Sequence, residues 1–370
     1  MKPYTVLHTI ETAGPGGAET VLLEIASAVN KERFRSLAFL PQGTWLPQQL
    51  KAHGVPYTLS KSRTWYNLMG EMRSLVQREG VDLIHSHLDD QNFCSGVVGK
   101  LTGCKTIATY HGAPRIAVQQ GLRRSIKLWA TRKLASQVVV VSDYLRAIFL
   151  ESNFPPEKTY RIYNGVNLTR FAASEAAGIR KELGLPQNVK LVGTIANLRH
   201  SKGYEYFVES CRIVADTVPD AYFVAVGETE EILLSRLKDQ IRELRLEQQF
   251  FFLGFRPNIP QLLKDLDVFV LSSTDEGLSI ATIEAMAASR PVVVTRSGGP
   301  QEIVRDTETG FLVPPRDPSE LASRIIQILQ DPAMAERLGR AARADVEERF
   351  SLAKMISAYE ALYLKCLGGN

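Results

Sequence analysis

Two glutamates, Glu276 and Glu284, flank a predicted helix start and could bind the hydroxyl groups of a ligand. An apolar run of strand length, 267–273, precedes the first of them. Residues 280–287 then read as a helix with almost no polar face, so a carboxylate there needs a hydrogen-bonding partner. Free N–H groups and the helix dipole make this helix start an anion-binding end, formed by Gly277, Leu278, Ser279 and Ile280. Phosphate donors beside two carboxylates suit a nucleotide-sugar, although a charged helix end with a polar core network remains the alternative.

A second candidate phosphate-binding element is the loop 197–203, which follows the predicted strand 190–196. It carries Arg199 and Lys202, and two cations on a strand-to-helix loop can clamp a pyrophosphate. Arginine would do so through its bidentate geometry and lysine as a point charge. A solvated basic loop is the alternative interpretation.

Histidines mark the ends of two further predicted strands. His111 precedes a glycine at a strand tip, and His85 and His87 end the strand before it. Ligands of parallel sheets gather beyond the carboxyl ends of the strands, which favours a binding role for His111. Alternation places His85 and His87 on one face, and a metal site is the alternative there. No third histidine lies nearby in sequence, so we expect this segment to be part of a wall rather than a metal centre.

A glycine-rich turn follows the first predicted strand, Tyr4 to Ile10, and includes Gly16 and Gly17. Such a turn lets the backbone approach a phosphate closely. It does not have the G-x-G-x-x-G spacing, and no G-x-x-x-x-G-K-[ST] occurs in the chain, so dehydrogenase and P-loop functions are disfavoured. An ordinary tight turn is the alternative.

Strand and helix patterns alternate along the 370 residues, which predicts an α/β fold with parallel sheets covered on both faces. A chain of this length exceeds the size of most single cores, so we expect two domains. The predicted divisions are a first domain at 1–171, a linker at 172–187, a second domain at 188–350 and a final helix within 351–370. In the first domain, strands are expected near 34–40, 56–59, 82–86, 105–110, 137–142 and 159–163.

The net charge of +4 is unevenly distributed. The 52 residues from Gln91 to Ser142 contain no Asp or Glu and eight cations, which predicts a basic face for an anionic partner. Within them, the segment Leu122–Leu134 reads as a basic amphipathic helix containing Trp129. It could lie on an anionic membrane surface, or pack on the core with a solvated charged face.

The remaining composition, 45% apolar and 23% charged, is that of a soluble globular protein. Four cysteines without close pairing or metal-ligand spacing favour reduced thiols and a cytoplasmic location, with the inner face of the membrane as a further expectation. No signal peptide and no membrane-spanning run of roughly 20 apolar residues is predicted. We expect no nucleic-acid partner.

The segment that contains the two glutamates resembles a known family. Glu276 and Glu284, separated by seven residues, are followed by Ala-Met-Ala and by 290–295, RPVVVT. The similarity continues through 297–304, SGGPQEIV, and 309–315, TGFLVPP. This pattern resembles the donor-site signature of retaining glycosyltransferase family 4, and the resemblance covers nearly the whole chain.

The resemblance implies the GT-B fold, in which two Rossmann-like, doubly wound domains face each other across a cleft. The first domain would bind the acceptor and the second the nucleotide-sugar, with the C-terminal helix packing back on the first. The implied activity is a retaining hexosyl transfer from a nucleoside-diphosphate sugar to a glycan or lipid-linked acceptor, in cell-surface polysaccharide or glycolipid synthesis. Neither a metal nor another cofactor is expected.

The resemblance also implies roles for single residues. Glu276 and His111 would orient the transferred sugar, while Lys202 and Arg199 would stabilise the departing pyrophosphate. Glu284 would bind the ribose hydroxyls. The other implied donor-binding residues are Gly277, Leu278, Ser279, Ile280, Gly227 and Asn197, and the implied acceptor or cleft residues are Gly16, Gly17 and His87.

Two segments depart from the family pattern. Asn197 occupies the commonest arginine position, so Arg199 is expected to take over its role, and 228–230 replaces the usual Gly-x-Gly that begins at Gly227. These departures leave open a non-catalytic relative that only binds a sugar. A sugar-nucleotide epimerase or a phosphorylase of the same fold is a further alternative.

Overall fold

The computed structural model describes residues 2–62, 64–113, 122–172 and 176–368, with the side chains of 122–124 excepted. It divides into two compact units. The first unit comprises Met1–Asn164 and Leu352–Asn370, and the second comprises Gly165–Ser351. The first unit ends at Asn164, whereas the predicted first domain ended at residue 171. The final helix belongs to the first unit.

Thirteen strands were assigned within the described residues: β1 (Tyr4–Ile10), β2 (Phe34–Leu40), β3 (Tyr57–Leu59), β4 (Leu83–His87), β5 (Lys105–Tyr110), β6 (Gln137–Val140), β7 (Thr159–Arg161), β8 (Lys190–Ile195), β9 (Ala221–Val226), β10 (Phe250–Gly254), β11 (Val268–Leu271), β12 (Val292–Thr295) and β13 (Phe311–Val313). The six strand positions predicted for the first domain are confirmed to within two residues at either end.

The α-helices of the described residues are α1 (Gly17–Ala28), α2 (Trp45–Ala52), α3 (Trp65–Glu79), α4 (Asp89–Thr102), α5 (Leu122–Leu134), α6 (Asp143–Glu151), α7 (Thr169–Ala172), α8 (Ile179–Glu182), α9 (Tyr204–Thr217), α10 (Glu231–Glu243), α11 (Ile259–Asp265), α12 (Ile280–Ala287), α13 (Pro300–Ile303), α14 (Pro318–Gln330), α15 (Pro332–Arg349) and α16 (Leu352–Leu367). None of these helices is long and apolar enough to cross a membrane.

Each unit contains one parallel sheet. In the first unit the strand order is β3-β2-β1-β4-β5-β6-β7, and in the second it is β10-β9-β8-β11-β12-β13. The central strands β11 and β12 are continuous apolar runs that are buried along their whole length, as expected for sheets covered on both faces. The α/β, Rossmann-like prediction is confirmed for both units.

The strand orders identify where ligands should gather. The direction in which successive strands are added to the sheet reverses at one point, between β1 and β4 in the first unit and between β8 and β11 in the second. All of these strands remain parallel. The loops after such a pair of strands diverge and leave a crevice beyond their carboxyl ends. All the predicted catalytic residues lie in the second unit after β8 or β11, except His111, which follows β5 in the first unit.

Candidate functional site

In the second unit, backbone contacts hold the loops after β8 and β11 together. Thr274 N donates to the Ser201 carbonyl at 2.8 Å, and Ser272 Oγ donates to the Lys202 carbonyl at 2.9 Å. Gly203 has φ +60°, and a Cβ there would overlap the Ser272 carbonyl oxygen. This close approach requires glycine and places the side chain before it, that of Lys202, over the second loop.

Lys202 and Glu276 form an ion pair through Nζ and Oε2, although they are 74 residues apart in sequence. Ser273 Oγ donates a second hydrogen bond to Oε2 at 3.3 Å. The side chains remain 22% and 13% exposed, so the pair is accessible to a ligand. Because an ammonium group has three donors, Lys202 keeps two for other oxygen atoms while it contacts Glu276.

The backbone on both sides of Glu276 is fixed by a third segment. Glu276 N donates to the Ser297 carbonyl at 2.9 Å, and Gly299 N donates to the Glu276 carbonyl at 2.9 Å. A Cβ on Gly299 would overlap the carbonyl oxygen of Gly277. The glycines of the 297–304 signature therefore let this segment pack directly against the loop that carries Glu276.

The start of α12 offers unpaired donors. Ser279 caps the helix by accepting from Thr282 N at 3.2 Å. Within the described residues, the N–H groups of Gly277 to Ile280 donate no hydrogen bond to another group. Together with the helix dipole, these amides could bind an anion, and they directly follow Glu276, which pairs with Lys202.

Glu284 lies one helical turn after Ile280, so both occupy one face of α12. That face is partly exposed, whereas the positions from Ala285 to Ala288 are buried. Glu284 therefore lies on the partly exposed side of the helix that begins with these amides. The predicted apolar character of α12 is confirmed apart from this face.

The remaining predicted donor-site residues have mixed placements. The Asn197 side-chain oxygen accepts from Glu228 N at 3.0 Å and ties the loops after β8 and β9 together. Gly227 has φ +153°, and a Cβ there would overlap the Ala196 carbonyl oxygen. Arg199 is exposed and forms no side-chain hydrogen bond or ion pair with another described residue. The structure thus brings Lys202 and Glu276 together but leaves Arg199 outside their contacts.

In the first unit, His87 and His111 lie against each other at the ends of β4 and β5. Their Nδ1 and Nε2 atoms are 2.9 Å apart, and their ring planes differ by 17° with centroids 5.2 Å apart. Burial lowers the pKa of His111 to about 4, and burial followed by the neighbouring histidines holds the pKa of His87 well below its usual value. Both rings are therefore neutral near pH 7. Among the described residues, no three His, Cys, Asp or Glu side chains converge as metal ligands would.

The glycine-rich turn of the first unit surrounds a buried carboxylate. Gly16 precedes α1, and Glu19 on its first turn accepts a hydrogen bond from the Thr12 hydroxyl. A Cβ on Gly16 would overlap the Glu19 carboxylate, while Gly17 is exposed. The close approach predicted for this turn therefore involves the chain's own carboxylate.

Two family models match the chain. "Glycosyltransferase Family 4" matches residues 15–170, and "Glycosyl transferases group 1" matches residues 176–345. The chain belongs to glycosyltransferase family 4. It is an enzyme of the hexosyltransferase type with two Rossmann-like domains of the GT-B class.

Relatives support this membership over most of the chain. The UDP-Gal:alpha-D-GlcNAc-diphosphoundecaprenol alpha-1,3-galactosyltransferase of Escherichia coli is 27% identical over 88% of this chain and 86% of its own. The N-acetyl-alpha-D-glucosaminyl L-malate synthase of Bacillus anthracis is 27% identical over 81% and 79%. The solved structure of Anabaena Alr3699/HepE in complex with UDP and glucose has a TM-score of 0.89, with 22% identity over 98% of this chain and 100% of that one.

Some residues that build the site were missed by the sequence interpretation. Ser273 donates to Glu276, and Gly299 allows the close packing beside it. Ser273 ends the apolar run before the resemblance begins, and Gly299 lies inside its 297–304 segment. Their positions in the sequence could have identified them. A polar residue at a strand end and a glycine pair after the next strand are expected to face the same crevice. In the first unit, the contact of His85 with Tyr363 of α16 joins residues 278 apart, for which no local pattern exists.

Proposed function

We propose that this enzyme transfers a sugar with retention of configuration from a nucleoside-diphosphate sugar to a glycan or lipid-linked acceptor, in cell-surface polysaccharide or glycolipid synthesis. The observation that carries the proposal is the Lys202–Glu276 pair beside the free amides at the start of α12. A cation and several N–H groups suit a diphosphate, while a carboxylate at the same point suits a sugar hydroxyl.

The diphosphate is the group for which positive charge is needed. As the bond to the sugar breaks, negative charge develops on the leaving phosphate, and preorganised donors stabilise it. The amides of Gly277 to Ile280 and the two remaining Lys202 donors supply these contacts. Arg199 has no competing partner among the described side chains, so we propose that it joins them when the donor binds.

The sugars of the donor are bound by carboxylates and a histidine. Glu284, on the open face of α12, accepts hydrogen bonds from the ribose hydroxyls. Glu276 and His111 contact the transferred sugar. Asn197 and Gly227 contribute indirectly, because they fix the backbone of the loops that would lie beside the nucleotide.

No protein nucleophile is proposed. Attack of the acceptor hydroxyl on the face that the diphosphate leaves forms the new glycosidic bond as the old one breaks. The hydroxyl proton passes to the leaving phosphate oxygen, so atoms and charge balance without a covalent enzyme intermediate or a metal. Retention of configuration follows from this same-face geometry.

The names of the relatives support a choice of first substrates. The Escherichia coli relative is named for a UDP-sugar donor and a diphosphoundecaprenol-linked acceptor. UDP-sugars with polyprenyl-diphosphate-linked sugars are therefore the first pair to test, followed by GDP- and ADP-sugars. We further propose that the enzyme works in the cytoplasm, at the inner face of the membrane.

The experiment is a transfer assay with these donors, preceded by a thermal-shift screen because a ligand of the native state raises the melting temperature. We expect one nucleotide class to stabilise the protein and its sugar to appear on an acceptor with an unchanged anomeric configuration, measured by NMR. An inverted product contradicts the mechanism. Epimerised nucleotide-sugar, or turnover that depends on inorganic phosphate, contradicts the transferase proposal, and binding without turnover across a broad acceptor panel supports a non-catalytic relative.

A second proposal concerns α5 and an anionic membrane. Ile126 and Trp129 are 49% and 56% exposed, so they do not pack in the core as the alternative interpretation of this helix required. Trp65 and Tyr66, at the start of α3, are also more than half exposed, and the Trp65 ring contacts Phe93 of α4 at a centroid distance of 5.9 Å. Helix α4 packs against both α3 and α5. Trp129 is exposed within a segment that has cations and no acids, and Trp65 and Tyr66 are exposed on a helix that packs on the same α4. Such exposed aromatics beside cations suit the interface of an anionic bilayer.

Flotation with vesicles tests this proposal. The protein should float with vesicles that contain phosphatidylglycerol and not with pure phosphatidylcholine vesicles, and high salt should weaken the binding. Trp129→Ser with Ile126→Ser should abolish flotation. Ile232→Ser, at an exposed position of the second unit, is the matched control. Equal flotation of wild type and the double variant contradicts the proposal.

A further inference from the structure

Four of the six histidines form a file of rings in the first unit. His8 on β1 and His85 on β4 are register partners on adjacent strands, and their ring centroids are 5.7 Å apart. His85 lies 4.4 Å from His87, and His87 lies 5.2 Å from His111. The first three rings are fully buried, while His111 is partly exposed. The file thus leads from the sheet interior to the strand end where His111 stands.

The second ring of the file, His85, is anchored through both of its nitrogen atoms. His85 Nδ1 lies 2.6 Å from the Tyr363 hydroxyl of α16, and its Nε2 lies 2.8 Å from Thr109 Oγ1. The Tyr359 ring, also on α16, lies 5.0 Å from the His85 ring. His85 is therefore fixed in plane and position, and His87 packs on its face.

In the hydrogen bond between His87 and His111, one nitrogen carries the proton and the other accepts it, and both rings are neutral. Burial lowers the pKa of both rings, so neither carries a second proton near neutral pH. If His111 Nε2 donated, His87 Nδ1 would accept, and His87 would carry its own proton on Nε2. That atom is buried without a hydrogen-bonding partner. Buried N–H groups without an acceptor are rarer in proteins than buried lone pairs without a donor. The opposite direction, in which His87 Nδ1 donates, leaves only a lone pair on His87 Nε2 and is therefore favoured.

We propose that His87 is a positioning residue that donates from Nδ1 to His111 Nε2, and so holds His111 in the tautomer that presents Nδ1–H at the partly exposed end of the file. His111 then offers a hydrogen-bond donor, in a fixed orientation, to an oxygen atom of the transferred sugar. This inference rests on the proposed function for the sugar contact, but the tautomer itself does not depend on it.

The tautomer is read directly by long-range ¹H–¹⁵N correlation spectra of the full-length protein labelled at histidine. Six histidines give few enough signals to assign by substitution. We expect His111 to be protonated on Nδ1 and bare on Nε2 near neutral pH. In His87→Leu the partner of His111 Nε2 is lost, and its two tautomers should interconvert. Protonation of His111 on Nε2 in the wild type, or an unchanged spectrum in His87→Leu, overturns the inference.

Kinetics separate positioning from general core damage. Misplacement of a sugar-orienting group costs about 10²-fold in rate, so kcat of His87→Leu should fall by about that factor while the donor KM changes little. His87→Asn places an amide donor near the lost Nδ1 and should recover most of the loss. His8→Leu is the matched control, because His8 is buried in the same file but its ring nitrogens have no hydrogen-bonding partner.

Equal losses in His87→Leu, His87→Asn and His8→Leu would identify a packing effect and overturn the positioning role. If the wild type transfers no sugar, the proposed function fails, and the spectra still decide the tautomer. Thermal melting of each variant confirms that it is folded at the assay temperature.

Discussion

The two units present different chemistry beyond the carboxyl ends of strands in similar sheets. At the β8/β11 crevice of the second unit, an ammonium, a carboxylate and free backbone amides lie together. At the ends of β4 and β5 in the first unit, the corresponding groups are neutral imidazoles that bind one another. The first arrangement suits an anion, as we propose for the diphosphate, and the second suits an uncharged, hydroxyl-rich group such as the proposed sugar.

The difference follows from burial and pairing. Lys202 and Glu276 stay partly exposed and neutralise each other, which keeps both charges tolerable at the edge of a unit. His87 is fully buried and His111 largely so, and burial lowers the pKa of both rings, which removes their charge instead. Two similar sheets therefore carry charged side chains in one unit and neutral imidazoles in the other, because the surrounding side chains decide which protonation state is stable.

The largest expected effect comes from the charged site. Glu276→Ala removes the carboxylate that we propose orients the sugar, and kcat should fall by about 10²- to 10³-fold. Because the change frees Lys202 and removes a negative charge, the nucleoside diphosphate should bind equally well or more tightly. Steady-state kinetics and calorimetry measure the two effects separately.

Asp275→Ala is the matched control for this change, because Asp275 is the exposed neighbour in the same loop. It should retain nearly full turnover. Full turnover in Glu276→Ala would remove Glu276 from the site, and weaker diphosphate binding would contradict the role assigned to the Lys202 pair.

A smaller loss is expected from the backbone of the same site. In Gly299→Ala the new methyl group overlaps the Gly277 carbonyl, so the loop must shift, at a cost of about 1–3 kcal/mol of stability. Activity should fall by about 10-fold or more because the amides are displaced. Gly70→Ala, in open space on α3, should not lower stability. Unchanged kinetics in Gly299→Ala would show that the amide positions are not critical.

The buried histidines of the first unit should make the free energy of unfolding depend on pH. Burial lowers the pKa of His8 from 6.5 to about 3 in the folded protein. Between these values the unfolded chain binds a proton that the folded chain does not. The free energy of unfolding should therefore decrease as the pH falls, by about 1.4 kcal/mol per pH unit for this residue.

His8→Leu should reduce the slope by that amount and leave stability near pH 7 equal or higher, because an unpartnered buried polar ring is removed. Urea unfolding at about pH 7 and about pH 5 measures the difference. Parallel slopes for wild type and variant would show that His8 does not resist protonation.

The smallest effect compares helix caps in the two units. Ser279 caps α12, and Ser142 caps α6 by accepting from Leu145 N at 3.1 Å. Replacing either with alanine should cost about 1 kcal/mol of stability. Ser279→Ala should also raise the donor KM, since we propose that its helix start binds the diphosphate, whereas Ser142→Ala should not. Similar KM values for the two variants would argue against an anion at α12.

Much of this arrangement was predictable from sequence. The buried strands, the helix that begins at Ile280 and the strand-end position of His111 follow from apolar periodicity and turn residues. The meeting of Lys202 with Glu276 was expected only through the family resemblance, because strand order decides which loops become neighbours. The exposure of Trp129 and the file of four histidines depend on side-chain packing across elements, which no local pattern encodes.

The most direct test is a titration of the perdeuterated protein with the nucleoside diphosphate that gives the largest thermal shift, followed by ¹H–¹⁵N correlation spectra. We expect the amides of Gly277, Leu278, Ser279 and Ile280 to show the largest shifts, with saturation at the same ligand concentration. If these four signals do not move while the ligand binds, the diphosphate lies elsewhere and the proposed donor site is wrong.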